Sequence, residues 1–181
     1  LEGIHSRTDF DLSAHEKHSG KKLQFFDNDT NESYVPYVLE TSIGLDRMFL
    51  AVMSSAYTEE KLEDGSERTV LKIPAVLAPV KVAVLPLVNK DGLPEKAREI
   101  MEEIKLDFNA QYDTKDAIGK RYRRQDAIGT PYCVTIDHQT LEDNMVTIRE
   151  RDSMEQQRVS IPELIKTLDE KVNIKTLLKQ L

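Results

Sequence analysis

Over Val38–Ile43 hydrophobic and polar positions alternate, so Val38, Glu40 and Ser42 fall on one face of an expected strand and Leu39, Thr41 and Ile43 on the other. At Gly44 the period changes. Leu45, Met48, Phe49, Val52 and Ala56 then recur at helical spacing, with Asp46 and Arg47 in the first turn off that stripe. A strand therefore runs into a helix through one glycine. A helix start offers unpaired backbone N–H groups and partial positive charge, and an arginine there adds a fork of donors suited to a phosphate. Glu40 and Ser42, just before the turn, can hold a small cation such as an amino group. The same spacing also fits plain structural pairing of Arg47 with Asp46 or Glu40.

Around this stretch the pattern is more varied. Leu1 to Arg7 reads as a strand end, followed by a helix capped by Thr8 or Asp9, running through Leu12 and His15, and stopped at Ser19-Gly20. His15 and His18 are read as a solvated helix face, and no metal is assigned. Leu23 to Phe26 suits a strand, and Asp27 to Ser33 a polar loop. Glu59 to Thr69 reads as a charged surface loop without chemistry, and Val70 to Pro79 as an irregular connector. A domain boundary is placed there, giving residues 1–78 and 79–181.

Beyond it, strands and helices alternate. Strands are expected over Val80 to Leu85, Ala110 to Tyr112, Tyr132 to Ile136 and Met145 to Ile148, and helices from Pro94 to Phe108, Ile118 to Ile128, Ile161 to Leu168 and Ile174 to Leu181. Such units argue for an α/β domain with a mostly parallel sheet flanked by helices. Gly92, Gly119 and Gly129 form neither a dinucleotide fingerprint nor a nucleotide loop.

Charge changes the picture in one place. The net charge is −7, but residues 1–78 hold 8 Lys and Arg against 14 Asp and Glu, whereas residues 79–181 hold 17 against 18. The second part contains the dense basic cluster Lys120, Arg121, Arg123 and Arg124 around Tyr122, a composition suited to phosphates and bases. The single cysteine, Cys133, lies in an apolar run and reads as a buried inert thiol, compatible with a reducing cytoplasm. No apolar stretch approaches membrane-spanning length.

ETSIGLDR at residues 40–47 resembles motif 3 of the class II aminoacyl-tRNA synthetases, in the form found in homodimeric glycyl-tRNA synthetases. GIHSRTDFDLSAH and the long stretch from GKRYRRQDAIGTPYC to RERDSMEQQRV are similar to the same family. The resemblance implies the C-terminal part of an antiparallel-sheet catalytic domain, followed by an α/β anticodon-binding domain. It further implies ATP-dependent formation of glycyl-adenylate and transfer to tRNA(Gly), with ATP and Mg2+ required.

By position, Glu40 is expected to bind the glycine amino group and Ser42 to hold glycine and close its pocket, with Thr41, Ile43 and Gly44 around it. Leu1, Gly44, Leu45, Asp46 and Arg47 are expected against ATP. Arg7, Asp9 and Asp11 are expected as a supporting arginine–carboxylate network. For the anticodon the candidates are Arg124, Gln125, Asp126, Tyr132, Arg149, Arg151 and Asp152, because unstacked RNA bases are read by stacking and by hydrogen bonds to their edges. Motifs 1 and 2 are matched nowhere, so a fragment unable to form glycyl-adenylate alone is expected. The alternative is a non-catalytic, synthetase-like accessory subunit that binds nucleic acid, against which the intact Glu40, Ser42, Gly44 and Arg47 set argues.

Overall fold

The computed structural model describes residues 1–179, in two compact units, 1–52 and 53–181, whose division falls within one helix. The first unit contains β1 (Glu2–Thr8), α1 (Phe10–Ser19), β2 (Phe25–Asp27), β3 (Glu32–Tyr34), β4 (Val38–Ile43) and the start of α2 (Leu45–Ala56). β1 pairs antiparallel with β4, and β2 with β3. α1 ends where expected, at Gly20 in the left-handed region. The expected polar loop after Phe26 is the turn of the β2–β3 hairpin, where the Asp27 carboxylate accepts the Asp29 amide at 2.8 Å and Asn31 takes a positive φ. No residue of 1–52 is buried; Ile4, Leu39 and Leu45 are all largely exposed.

The second unit opens with β5 (Tyr57–Lys61) and β6 (Glu67–Leu71), an antiparallel hairpin. The sequence reads this stretch as a charged loop, and the structure corrects that. Inward positions on β6 are Arg68 and Val70, both buried, so the period of two is hidden by an arginine on the core face. The expected boundary between residues 78 and 79 falls inside this unit, because Arg68 and Val70 are part of its interior.

Then follow β7 (Val82–Pro86), α3 (Leu93–Ile104), β8 (Ala110–Tyr112), α4 (Ile118–Ile128), β9 (Tyr132–Ile136), α5 (His138–Asp143), β10 (Met145–Glu150), β11 (Gln156–Ser160), α6 (Ile161–Val172) and α7 (Ile174–Leu178). The expected helical extension to Gln180 and Leu181 lies outside the described residues. The sheet order is β11-β10-β9-β7-β8. β8, β7 and β9 run parallel, as the strand–helix alternation predicts, whereas β10 and β11 are antiparallel to their neighbours. The connections explain this: β9 to β10 and β10 to β11 are shorter than the dozen or so residues that a parallel crossover needs. β7 and β9 are buried along their whole length, as expected of strands covered on both faces. The core joins Val82, Val84, Val134 and Ile136 of the sheet to Leu93, Ala97, Ile100 and Ile104 of α3 and to Leu164 and Leu168 of α6.

Candidate functional site

In the first unit the β1–β4 register sets Glu40 opposite His5 and Ser42 opposite Gly3. Glu40 and Ser42 share the face predicted for them. Arg7 bridges two carboxylates: Nη1 lies 3.1 Å from Glu40 Oε2, and Nε and Nη2 donate to Asp11. Both partners hold the guanidinium pKa well above its usual value, Asp11 more than Glu40. The hydrogen bond from Arg7 keeps the Asp11 carboxyl low. The expected supporting network is therefore present for Arg7 and Asp11. Asp9 stands apart from it, accepting instead from the Ser13 hydroxyl at 3.4 Å.

Beyond β4, Gly44 accepts the Met48 amide at 2.9 Å, closing the first turn of α2, and donates its own amide to the Leu1 carbonyl at 3.3 Å. Leu1 and Gly44 are thus brought together. The aliphatic stem of Arg47 lies over Gly44, with Cδ 3.5 Å from where a glycine Cβ would stand. Among the described residues Arg47 makes no ion pair, so the pairing with Asp46 or Glu40 is not formed; Glu40 is engaged by Arg7. Thr41, Ile43, Leu45 and Asp46 are exposed around this turn. Sequence reasoning missed Gly3. A Cβ there would stand 2.6 Å from His5 Nε2 and 3.2 Å from Ser42 Oγ, so a side chain at this position would have to displace the exposed His5 ring and crowd the Ser42 hydroxyl. The signal available was a glycine inside a strand.

In the second unit the anticodon candidates sit close together, but mostly inside. Asp126 is fully buried: its Oδ1 accepts from Arg149 Nη1 at 2.9 Å, and its Oδ2 from Arg149 Nη2 and Arg68 Nη1, each at 3.1 Å. Arg149 also lies over the Tyr122 ring, 4.7 Å from its centroid. Gln125 is buried and exchanges bonds with Gln111 and Thr130. Arg151 donates to the Gly129 carbonyl at 2.9 Å and, through Nε and Nη2, to Asp152. Tyr132 is buried beneath Lys171. Gln125, Asp126, Arg149 and Arg151 are thus buried, with their polar groups bonded within the protein away from water. Asp152 keeps a half-exposed carboxylate.

The basic cluster on α4 divides in the same way. Arg121 is buried, donating to the Pro86 and Asp116 carbonyls, and Arg124 is held by Asp113 and Asp116. Lys120 and Arg123 make no ion pair among the described residues. The residue that sequence reasoning missed here is Arg68, which ties the β5–β6 hairpin to Asp126 and to the carbonyls of Arg151 and Asp152.

Cys133 is buried, and burial pushes its thiol up to about 12. No group of three or more His, Cys, Asp or Glu among the described residues is placed to hold a metal ion, and no described helix is long and apolar enough to cross a membrane.

This mixed five-stranded sheet with covering helices is an α/β module. A solved structure, the RNA binding domain of threonyl-tRNA synthetase from Cryptosporidium parvum, superposes with a TM-score of 0.64 at 20% identity, covering 83% of this chain and 35% of that one, which establishes the fold. Residues 81–171 match the family model "Anticodon binding domain", and the chain belongs to that family. It is also similar to curated proteins named glycine–tRNA ligase: 54% identical over 172 residues in Clostridium tetani, 53% over 161 in Chlorobaculum tepidum and 54% over 170 in Treponema denticola. Those alignments cover 95%, 89% and 91% of this chain, which spans 37%, 34% and 38% of the relatives' length.

Proposed function

We propose that the chain serves glycine–tRNA ligation: ATP-dependent activation of glycine to glycyl-adenylate and transfer to tRNA(Gly), in a cytoplasmic homodimer, with the second unit recognising the anticodon. The observation that carries this reading is the likeness to glycine–tRNA ligases, 54% identical over 95% of the chain; the motif ETSIGLDR at residues 40–47 supports the placement of Glu40, Ser42, Gly44 and Arg47.

In this reading the Glu40 carboxylate, oriented by Arg7, accepts from the glycine ammonium. Ser42 adds a hydroxyl, and the bare backbone of Gly3 keeps room for a substrate without a side chain. Selection against larger amino acids is then steric. Leu1, Gly44, Leu45 and Asp46 line the nucleotide, and Arg47, which makes no ion pair among the described residues, meets its phosphates at the start of α2. Magnesium bound to the ATP phosphates would neutralise part of their charge; no described side chain is assigned to hold it. The chain's own residues contribute positioning and charge rather than covalent chemistry.

The test is a titration of the chain at fixed salt with the anticodon stem-loop of tRNA(Gly), beside the same stem-loop with its anticodon cytosines replaced. Fixed salt is needed because phosphate contacts alone bind both. A preference of about 1–3 kcal/mol per replaced base, the worth of a base-edge hydrogen-bond pair, is expected. Equal affinities, or none, would overturn anticodon recognition by this chain.

A further inference from the structure

The five-stranded sheet ends at β11, and among the described residues nothing pairs with the outer side of that strand. The hydrogen bonds at its two ends fix which groups face out. The Glu150 amide donates to the Glu155 carbonyl and the Ile161 amide to the Asn144 carbonyl, each at 3.0 Å, in the register that joins β10 to β11 throughout. Bonding alternates along an antiparallel ladder, so Glu155, Gln157, Val159 and Ile161 bond inward to β10. Gln156, Arg158 and Ser160 therefore turn both N–H and C=O outward.

Sheet edges are commonly blunted by proline, lysine, a bulge or shortness. The opposite edge, β8, is three residues long. By contrast, β11 has five residues in unbroken register, with no proline, glycine or lysine. Its one charge is withdrawn from the edge, because the Arg158 guanidinium is held by Asp137, Asp143 and the Met145 carbonyl.

Beside this edge runs a groove of about 270 Å³ between β11 and α6. Gln157 and Val159 form its sheet side, and Val159 belongs to the core with Leu164 and Leu168. From α6 come Glu163, Lys166 and Glu170, all exposed, in the order negative, positive, negative. None has an ion-pair partner among the described residues; Glu163 accepts the Ser160 hydroxyl at 2.6 Å. A strand laid along β11 puts every second side chain over the groove. Glu163 and Glu170 stand about 10 Å apart along the helix, within reach of long side chains four positions apart on such a strand, about 13 Å. A second copy fits poorly. Full antiparallel self-pairing of β11 sets Arg158 opposite its own counterpart and brings only the uncharged Gln157 and Val159 over the three charges.

We propose that β11 and α6 form a docking groove for an extended segment of another protein, added to the sheet as a further strand. Its side chains at alternate positions are basic, acidic and basic, over Glu163, Lys166 and Glu170. Backbone bonds to Gln156, Arg158 and Ser160 supply affinity, and the charge order sets the register.

The probe is a capped peptide, Thr-Lys-Val-Glu-Val-Lys-Thr, added to the full 15N-labelled chain while amide exchange is followed. At saturation the Gln156, Arg158 and Ser160 amides are expected to exchange at least about tenfold more slowly, whereas those of Gln157 and Val159, already bonded to β10, change little. Methylating the two valine nitrogens in one peptide, and the glutamate and second lysine nitrogens in another, blocks opposite edges of the added strand. One of these peptides is expected to lose binding and the other to keep it, according to strand direction. Glu170→Lys, at an exposed side chain without partners, should weaken the parent peptide about fivefold at low salt. Replacing the facing lysine of the peptide by glutamate should restore it. Unprotected Gln156, Arg158 and Ser160 amides would overturn the proposal, as would binding by both methylated peptides, which is charge attraction alone. Equal binding of Thr-Glu-Val-Lys-Val-Glu-Thr would do the same. Protection that rises with the concentration of the chain itself, or on adding the stem-loop, would give the edge to a second copy or to RNA and overturn it too.

Discussion

Asp126→Asn is the substitution expected to be most damaging to the second unit. The change is nearly isosteric, yet it removes the one carboxylate shared by two guanidinium groups, Arg149, which has no other carboxylate partner among the described residues, and Arg68, which keeps Glu60; their side chains are 5% and 1% exposed. Three hydrogen bonds to charged donors are weakened together, and an amide N–H₂ is turned toward at least one cation. Breaking a buried pair on one side leaves uncompensated charge at a cost of about 3–5 kcal/mol, here on Arg149, while Arg68 retains Glu60. With about 3 kcal/mol lost, the melting temperature of this unit should fall by about 10 °C. The chain has no tryptophan, so unfolding is best followed by near-ultraviolet circular dichroism of Tyr122, which lies under Arg149, and of Tyr132. Asp113→Asn is the control. It loosens Arg124, which is 39% exposed, and should change stability by under about 1 kcal/mol. A double-mutant cycle with Arg149→Met should show a coupling of about 1–3 kcal/mol. A loss below about 1 kcal/mol for Asp126→Asn would refute the reasoning, since it would mean that water or other acceptors already serve the two guanidiniums.

Gly129→Ala should destabilise the second unit by about 2 kcal/mol or more, because φ is +84° and the new Cβ would lie 3.0 Å from the Ile73 side chain; Gly92→Ala, with positive φ but open space, should lose only about 1 kcal/mol in the same melting experiment. Cys133 should resist alkylation at pH 8 in the folded chain and react after denaturation, since burial raises its thiol to about 12 and keeps it neutral. Glu60, held low first by Lys72 and, against burial, by Arg68, and Asp152, held low first by Arg151, have folded pKa values below their unfolded ones. Their contribution is therefore complete above about pH 4.5 and is lost as pH falls through the folded values, so acid unfolding of Asp152→Ala should be shallower than that of the parent chain. Gly3→Ala should weaken binding of a non-hydrolysable glycyl-adenylate analogue at least tenfold while leaving the stem-loop affinity unchanged, as the added methyl fills the space beside Ser42; unchanged analogue binding would place the amino-acid site elsewhere.

The sequence alone determined the features that depend on local periodicity. Six residues of alternation and one glycine define β4 and the start of α2, because side-chain direction in a strand and N–H availability at a helix start are local properties. The uninterrupted apolar runs at Val82 and Tyr132 define the doubly covered strands, and Pro94 and Pro162 mark helix starts for the same kind of reason.

Only the tertiary structure decided where the charges went. Arg68 looked like one more charged residue in a surface loop, and Gln125, Asp126, Arg149 and Arg151 looked like an RNA-facing set. Residues 58 positions apart, Arg68 and Asp126, meet because the hairpin packs on α4, and nothing in local spacing encodes that meeting. A buried guanidinium satisfied by a distant carboxylate carries the same letter as a solvated one. What separates them is the desolvation of both groups, a property of the folded neighbourhood and not of the residue.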